Sequence, residues 1–268
     1  MFTGFNLEGL DNQFLSHYKG AGEVAYNQQK NHIQKELDRF VLDDGSLDGS
    51  ALQDDWFPDV KADIFLSHSH GDQKLTMAFA AMLKEEFGLK AFIDSCVWGY
   101  ANDLLKKIDD VYCRNKKGDM YDYDQRNFST SHVHMMLSSA LTKMMDKTEC
   151  LIFVNTPKSL TTRDAVEDKT KSPWIYSEIA TSLVLRKRKP DRHDLLIKHA
   201  KFEAAEKKSQ LDVSYNVDLS HLTPLSTSDL SKWRDQVKGE IKGWKSHPLD
   251  QLYLIKRVLE IKTEAYQR

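Results

Sequence analysis

The feature that most constrains the fold is the run "CLIFVNT" at residues 150–156, which is almost continuously apolar. Strands have this composition when both of their faces are buried, as in a parallel sheet covered by helices on two sides. Two shorter segments, "ADIFLSH" (62–68) and "KAFID" (90–94), are of the same kind, and "VSYNVDL" (213–219) is a further strand candidate. These segments predict the strands of one parallel sheet.

Helical patterns lie between these strand candidates. Apolar residues recur at helical spacing after the first strand, at Leu75, Ala78, Phe79, Met82, Leu83 and Phe87. Gly88 stands where a C-cap is expected. Residues 134–148 and 172–185 predict two more helices, and the second has Ser172 as N-cap and Pro173 at its first position. The alternation of strands and helices predicts an α/β fold whose parallel sheet is covered on both faces.

Both ends of the chain show helical spacing without strand candidates. In the first 41 residues the apolar positions are Leu7, Leu10, Phe14, Ile33, Leu37 and Phe40. Gly20 and Gly22 interrupt them, which favours two helices over one. The turn-rich acidic stretch 43–50 predicts a linker, and helical patterns cover 227–243 and 248–263.

We therefore expect three parts. Residues 1–50 form an N-terminal helical arm and linker, residues 51–226 form the main α/β domain, and residues 227–268 form a C-terminal helical extension. A polar stretch at about 107–131 predicts an insertion within the main domain.

Composition excludes several classes of protein. The net charge of −2 gives no reason to expect nucleic acid as a partner. The three cysteines lack C-x-x-C spacing, so they predict neither a disulfide framework nor a zinc knuckle. No apolar run approaches 18 residues and the chain does not open on a secretion leader, so we expect a soluble cytoplasmic protein without a membrane partner. The basic run 186–192 is typical of a solvated loop.

The segment "DIFLSHSHGDQ" (63–73) allows two interpretations. It contains H-x-H-x-D at His68, His70 and Asp72, close to a pattern of metal-dependent hydrolases, and a second histidine pair follows at His132 and His134. The hydrolase pattern requires a ligand where Gln73 stands, however, and an amide is a poor ligand. A buried strand that ends in a polar loop is therefore favoured, and no metal is expected. The G-x-G-x-x-G and P-loop motifs for phosphate binding are also absent.

Ligands of open α/β sheets bind beyond the carboxyl ends of the strands. Three stretches should converge at this edge. The stretch after the first strand contributes Ser67 and His68, and residues 94–103 contribute Asp94 and Trp98. The third stretch, after the strand at 150–156, contributes Trp174 and Glu178. Trp174 and Glu178 are four residues apart and share a helix face. An aromatic plate beside a carboxylate is typical of nucleoside binding, because the ring stacks on a base and the acid holds ribose hydroxyls. The alternative is an ordinary helix acid beside a core tryptophan.

The order of "DIFLSHSHGDQ", "KAFID", "CLIFVNTPKSL" and "SPWIYSEIA" resembles the TIR (Toll/interleukin-1 receptor) domain family over residues 60–220. The likeness is greatest to bacterial TIR proteins of antiphage defence. The resemblance implies a flavodoxin-like fold with a five-stranded parallel sheet. It also implies cleavage of the N-glycosidic bond of NAD+ by a glutamate in W-x-x-x-E, which is Glu178 after Trp174.

Further expectations follow from that resemblance. NAD+ is a substrate and no cofactor is required, while Ser67, His68, Asp94, Trp98 and Trp174 contact the substrate. The loop at about 95–103 often mediates self-association in the family. The product is ADP-ribose, a cyclic isomer or a conjugate, and it acts as a signal on a separate effector. Tyr112, Tyr121, Tyr123, His132 and His134 are further side chains that could enter the cleft. The alternative is a TIR scaffold without catalytic activity, against which the presence of Glu178 argues.

Overall fold

The computed structural model describes residues 1–30, 37–115, 120–160, 169–170, 172–193, 215–239 and 246–259. Within these ranges the strands are β1 (Thr3–Glu8), β2 (Ile64–Ser67), β3 (Ala91–Ile93), β4 (Cys150–Asn155), β5 (Lys169–Thr170), β6 (Tyr215–Asn216) and β7 (Thr223–Ser226). Five of them form an all-parallel sheet in the order β3-β2-β4-β1-β7. Strands β5 and β6 pair antiparallel in a separate small sheet.

The helices lie between and after these strands. They are α1 (Lys19–Lys30), α2 (Gly49–Trp56), α3 (Gln73–Phe87), α4 (Asp94–Tyr112), α5 (Tyr123–Lys147), α6 (Pro173–Val184), α7 (Thr227–Gly239) and α8 (Pro248–Ile255). Short 3₁₀ turns occur at Ser16–Tyr18, Leu37–Phe40, His70–Asp72 and Asp191–His193. No helix in the described part of the chain is long and apolar enough to cross a membrane.

Helices cover both faces of the five-stranded sheet. Helices α3, α7 and α8 pack on one face, where the ring of Phe87 stacks on Trp233 at 3.8 Å. Helices α2, α4, α5 and α6 pack on the other face. Side chains of a strand alternate between the two faces. Phe5 and Leu7 therefore join the first core, whereas Phe65 and Phe153 join the second. The expected α/β class with helices on both faces is confirmed.

The sheet is compatible with a flavodoxin-like fold. In that fold the strands have the order 2-1-3-4-5. The half formed by β3, β2 and β4 follows it, since a first strand lies between the second and the third. In the other half the position beside β4 is filled by β1, which comes from the beginning of the chain.

The prediction of a helix at the first apolar positions is wrong. Residues Thr3–Glu8 form β1, which lies between β4 and β7. Phe5 and Leu7 alternate with less buried residues at the two-residue period of a strand, whereas the helical interpretation joined Leu7 to Leu10 and Phe14. Beyond this strand, α1 runs through Gly20 and Gly22 without a break. The predicted helical position Ile33 lies outside the described residues.

The polar stretch 107–131, expected as an insertion, is helical up to Tyr112 at the end of α4 and again from Tyr123 at the beginning of α5, with a connection between the two helices. The connection is held by the antiparallel bridge between Arg114 and Tyr121 and by the bond from the Asp122 amide to the Cys113 carbonyl. The stretch is polar because these helix ends carry many exposed side chains. Residues 94–103, expected as a loop, are helical from Asp94 onward.

The strand candidate at 213–219 does not belong to the five-stranded sheet. The segment 213–219 contributes Tyr215–Asn216 to the small sheet, and β7 at Thr223–Ser226 completes the large one. The sequence of β7 contains Pro224, which is unusual within a strand. Because β7 is an edge strand, paired only with β1 among the described residues, the missing amide donor of Pro224 is tolerated.

Several local predictions are confirmed. Strands β2, β3 and β4 lie within the three apolar segments, and α3 ends at Gly88, whose φ of 68° is left-handed. Ser172 caps α6 by accepting a hydrogen bond from the Ile175 amide at 3.3 Å, and Pro173 is its first residue. The predicted continuation of α7 to 243 lies outside the described ranges. The prediction of α8 to 263 is too long, because α8 ends at Ile255 and Arg257 has a left-handed φ of 55°.

Candidate functional site

A buried pair of polar side chains lies at the carboxyl end of β2. The Ser67 hydroxyl donates a hydrogen bond of 2.6 Å to Oε2 of Glu178. Ser67 is fully buried and Glu178 is only 2 % exposed. An ionised carboxylate is an acceptor only, so the direction of this bond suits it. Because carboxylates are rarely buried unless they are paired, the position is chemically unusual.

Two secondary-structure elements bring the pair together. Ser67 is the last residue of β2, and its side chain points to the same face as Phe65, towards α6. On α6, Ile175 and Ile179 flank Glu178 along the buried side and anchor the helix to the core. Strands β2 and β4 are neighbours whose following connections lead to different parts of the sheet. The pair therefore lies at the carboxyl edge of the sheet, beyond which open α/β folds bind their ligands.

A second contact fixes the far end of α6. Ser182, one turn after Glu178, donates its hydroxyl proton to the Ile179 carbonyl at 2.7 Å. The same oxygen lies 2.8 Å from Nε2 of His221, so this ring nitrogen is the donor. Burial lowers the pKa of His221, although the nearby Asp218 works in the opposite direction. Burial thus favours the neutral form of the imidazole beside the helix that carries Glu178.

Trp174 lines a cleft on the helix layer. The cleft is formed by α4, α5 and the first turn of α6, and its lining residues are Ala101, Asn102, Leu105, His134, Leu137 and Trp174. His134 meets the Trp174 ring edge-on at a centroid distance of 5.5 Å. The volume of about 50 Å³ leaves room for a few water molecules but not for a dinucleotide. Glu178 is not among the lining residues.

The other residues predicted to contact the substrate lie in different parts of the structure. His68 is buried, with 2 % exposure, directly after Ser67. Asp94 and Trp98 lie in the first two turns of α4, and their side chains are outside the described part of the structure. Of the five additional candidates, His134 lines the cleft with Trp174. Tyr121 donates to Asp110, Tyr123 is 77 % exposed, His132 contacts Phe128, and Tyr112 is exposed.

The H-x-H-x-D segment serves to connect two loops. Asp72 is buried and accepts a hydrogen bond from the Thr156 hydroxyl, and Lys158 forms an ion pair with it at 3.1 Å. Lys158 also donates to the Gly71 carbonyl at 2.9 Å. These contacts join the loop after β2 to the loop after β4. His70, by contrast, is exposed.

Within the described ranges, one group of side chains has the spacing of a metal site. It consists of Glu149, His247 and Asp250, far along the chain from the histidine motif. Arg192 already lies between the two acids, with Nε 2.9 Å from Asp250 and Nη1 2.7 Å from Glu149. Burial alone would raise the pKa of Asp250, but the hydrogen bonds from Arg192 and His193 outweigh it and lower that pKa. A cation would have to displace the guanidinium, so the group is a structural ion-pair network.

Sequence reasoning missed a polar group at the end of β1. The side-chain amides of Asn6 and Asn155 both donate to Oε1 of Glu8, at 2.9 and 3.3 Å. Asn155 is the last residue of β4 and pairs in register with Glu8. The residues were overlooked because β1 was interpreted as a helix. The alternation of Asn6 and Glu8 with Phe5 and Leu7 is the signal that could have identified them.

Comparison with known proteins adds no identification. No family model, no curated protein and no solved structure matches this chain. The class that fold and site define is therefore an α/β protein with an all-parallel five-stranded sheet and a buried serine–glutamate pair at its carboxyl edge.

Proposed function

We propose that this chain is a TIR-type enzyme that cleaves the bond between nicotinamide and ribose in NAD+. The single observation that carries the proposal is the hydrogen bond between Ser67 and Glu178. It joins two of the four stretches in which the sequence resembles the TIR family, and it holds a carboxylate at the edge of the sheet where ligands bind.

The reaction requires little more than one held carboxylate. Nicotinamide leaves with the electron pair of the glycosidic bond and becomes neutral, so no general acid has to protonate it. The ribose passes through a transition state that resembles an oxocarbenium ion. The negative charge of Glu178 stabilises that developing positive charge, and its low-dielectric surroundings strengthen the effect. Water then adds to the ribose carbon and releases one proton.

The serine has a positioning role in this scheme. A carboxylate on a helix can rotate about three torsions, and each rotation moves the charge relative to the ribose. The bond to Ser67 selects one orientation, and the packing of Ile175 and Ile179 fixes the helix itself. Preorganised charge of this kind is what electrostatic catalysis requires.

Substrate binding has to open the approach to Glu178, because the side chain is 2 % exposed. Trp174 is one helical turn away and half-buried in the cleft with His134. We propose that its ring packs against the base of the bound substrate. Replacing Trp174 with alanine should raise KM about tenfold, and phenylalanine should restore most of the loss because the ring face is kept.

The fate of the ADP-ribosyl group depends on which nucleophile reaches the ribose. Water gives ADP-ribose, an adenine nitrogen gives a cyclic isomer, and another small nucleophile gives a conjugate. Following the resemblance to bacterial defence proteins, we propose that the product is a signal for a separate effector and that the enzyme acts in the cytoplasm. Self-association is supported by exposed apolar side chains on α5, where Tyr123, Phe128 and Met135 are 77 %, 66 % and 67 % exposed.

The test is incubation of the purified chain with NAD+ and identification of the products by mass spectrometry. We expect nicotinamide together with one ADP-ribose-type product. Concentration-dependent mass from light scattering, measured in the same samples, reports self-association. If the protein neither binds NAD+ nor releases nicotinamide across the concentrations at which it associates, the proposed function is wrong.

A further inference from the structure

The face of the sheet that carries Ser67 has further polar side chains on β1. In the parallel register Ser67 lies beside Phe153 of β4, and Phe153 lies beside Asn6 of β1. All three side chains point to the face covered by α6, because their neighbours Leu66, Ile152 and Phe5 belong to the opposite core. Ser67 and Asn6 thus stand at the same level on either side of a phenylalanine ring.

Glu8 lies one pleat further out on that face. It pairs in register with Asn155, and both residues point to the same side as Asn6. Two strand spacings separate β1 from β2, which is about 10 Å, and two residues along a strand add about 7 Å. Glu8 therefore stands on the order of 12 Å from Ser67. This separation suits the second half of a ligand whose first half reaches Glu178.

The carboxylate of Glu8 is held in place and remains accessible. Asn6 and Asn155 both donate to Oε1, and in the described part of the chain Oε2 has no hydrogen bond. The residue is exposed. The amide orientation of each asparagine is determined by this acid, because a reversed amide would turn its oxygen toward the carboxylate. A free carboxylate oxygen on a fixed side chain is a good acceptor for hydroxyl donors.

We propose that Glu8, held by Asn6 and Asn155, binds the hydroxyls of the second ribose of the substrate, the ribose that carries adenine. This assignment rests on the proposed function, in which Glu178 acts at the nicotinamide ribose. A charged acceptor suits a vicinal diol, since it takes hydrogen bonds that are stronger than neutral ones. Phe153 of β4 lies in register between Ser67 and Asn6, so the strand between β2 and β1 separates the positions of the two acids.

The experiment compares two substrates that differ in the adenosine monophosphate half, which contains the ribose assigned to Glu8. NAD+ contains the adenosine ribose, whereas nicotinamide mononucleotide lacks it. In Glu8→Gln the loss of charge-assisted hydrogen bonds should raise KM for NAD+ about tenfold. The KM for nicotinamide mononucleotide should not change, and kcat should stay close to the wild-type value for both substrates.

The matched control is Glu85→Gln, an exposed glutamate on α3 at the opposite face of the sheet, which should behave as the wild type with both substrates. Asn155→Ala keeps the acid but removes one donor, so it should raise KM for NAD+ by a smaller factor. Thermal unfolding verifies that each variant is folded.

The outcomes separate the two claims. Equal KM values for NAD+ in Glu8→Gln and Glu85→Gln would overturn the role of Glu8 while wild-type turnover still supports the proposed function. An equal loss with both substrates would also overturn it, because the adenosine ribose would not be the group that is recognised. If the wild type shows no binding and no turnover of either substrate, both the proposed function and this assignment are wrong.

Discussion

Replacing Ser67 with alanine tests the buried hydrogen bond on which the candidate site depends. The substitution removes one hydroxyl from a fully buried position. The Glu178 carboxylate, which is 2 % exposed, thereby loses this hydrogen-bond donor. A hydrogen bond to a charged group contributes about 1.5–3 kcal/mol. We expect the free energy of unfolding to fall by about 2 kcal/mol. That is a large fraction of the roughly 5–15 kcal/mol that typically stabilises a domain.

The assay is equilibrium unfolding in urea, read by far-UV circular dichroism, at pH 7. The midpoint should shift down by roughly 1 M, since chains of this size lose about 2–3 kcal/mol per molar urea. Glu178→Ala and the double variant complete a thermodynamic cycle that isolates the pair from other effects of each substitution. Ser131→Ala is the control, because Ser131 is exposed and bonds only to the Asn127 carbonyl of its own helix.

The coupling energy measured by this cycle either supports or refutes the hydrogen bond. A coupling energy of about 1.5 kcal/mol or more between positions 67 and 178 supports the bond. A coupling below about 0.5 kcal/mol, with Ser67→Ala no more destabilising than Ser131→Ala, would refute the reasoning, because a buried charge-assisted bond cannot be removed at so little cost.

Three further predictions concern the scaffold around the site. Gly22→Ala should lower stability by about 1–3 kcal/mol, because its Cβ would lie 2.6 Å from the Met77 carbonyl oxygen. Gly20→Ala meets nothing within 4 Å and should raise stability slightly in the same thermal-unfolding assay; the opposite order would contradict the packing of α1 on α3. The wild type should lose stability as the pH falls below 6.5, since burial lowers the pKa of His221 in the folded state and the unfolded chain takes up the proton first; His221→Asn should show a smaller loss between pH 7.5 and 5.5. Arg192→Met should cost roughly 2 kcal/mol by leaving two acids without their shared cation, and an unchanged urea midpoint would contradict the structural role of that network.

Much of the fold was predictable because local signals and tertiary structure agree. The apolar runs of β2 and β4 are buried on both faces, so their composition alone indicates parallel strands. The cap of α6 by Ser172 and the left-handed Gly88 after α3 follow from local chemistry. In these segments no distant contact is required to decide the structure.

The wrong predictions concern segments whose structure depends on contacts with residues far along the chain. The local sequence around Leu7 fits both a strand, by its alternation with Asn6 and Glu8, and a helix, by its spacing to Leu10 and Phe14. The position of β1 between β4 and β7 decides for the strand. Gly22 looks like a helix breaker in sequence, yet it allows α1 to approach the backbone of α3. Pro224 argues against a strand in general, but an edge position tolerates it.

In the candidate site, too, some residues could be predicted from local sequence and others could not. Ser67 and Glu178 were proposed from motifs at the ends of a strand and at the start of a helix, and the fold brings them to 2.6 Å. The alternation within β1 could have marked Glu8 as a polar strand position, but its place beside Asn155 requires the register of β1 against β4. Likewise His134 joins Trp174 only through the packing of α5 against α6.

The central claim is that Glu178, positioned by Ser67, stabilises the transition state of nicotinamide release from NAD+. The most direct measurement is the initial rate of nicotinamide release by the wild type, Glu178→Gln, Ser67→Ala and the control Glu85→Gln under identical conditions. We predict a loss of at least about a hundredfold for Glu178→Gln, about tenfold for Ser67→Ala, and no loss for the control, with all four proteins folded. Release by Glu178→Gln at the wild-type rate would contradict the account.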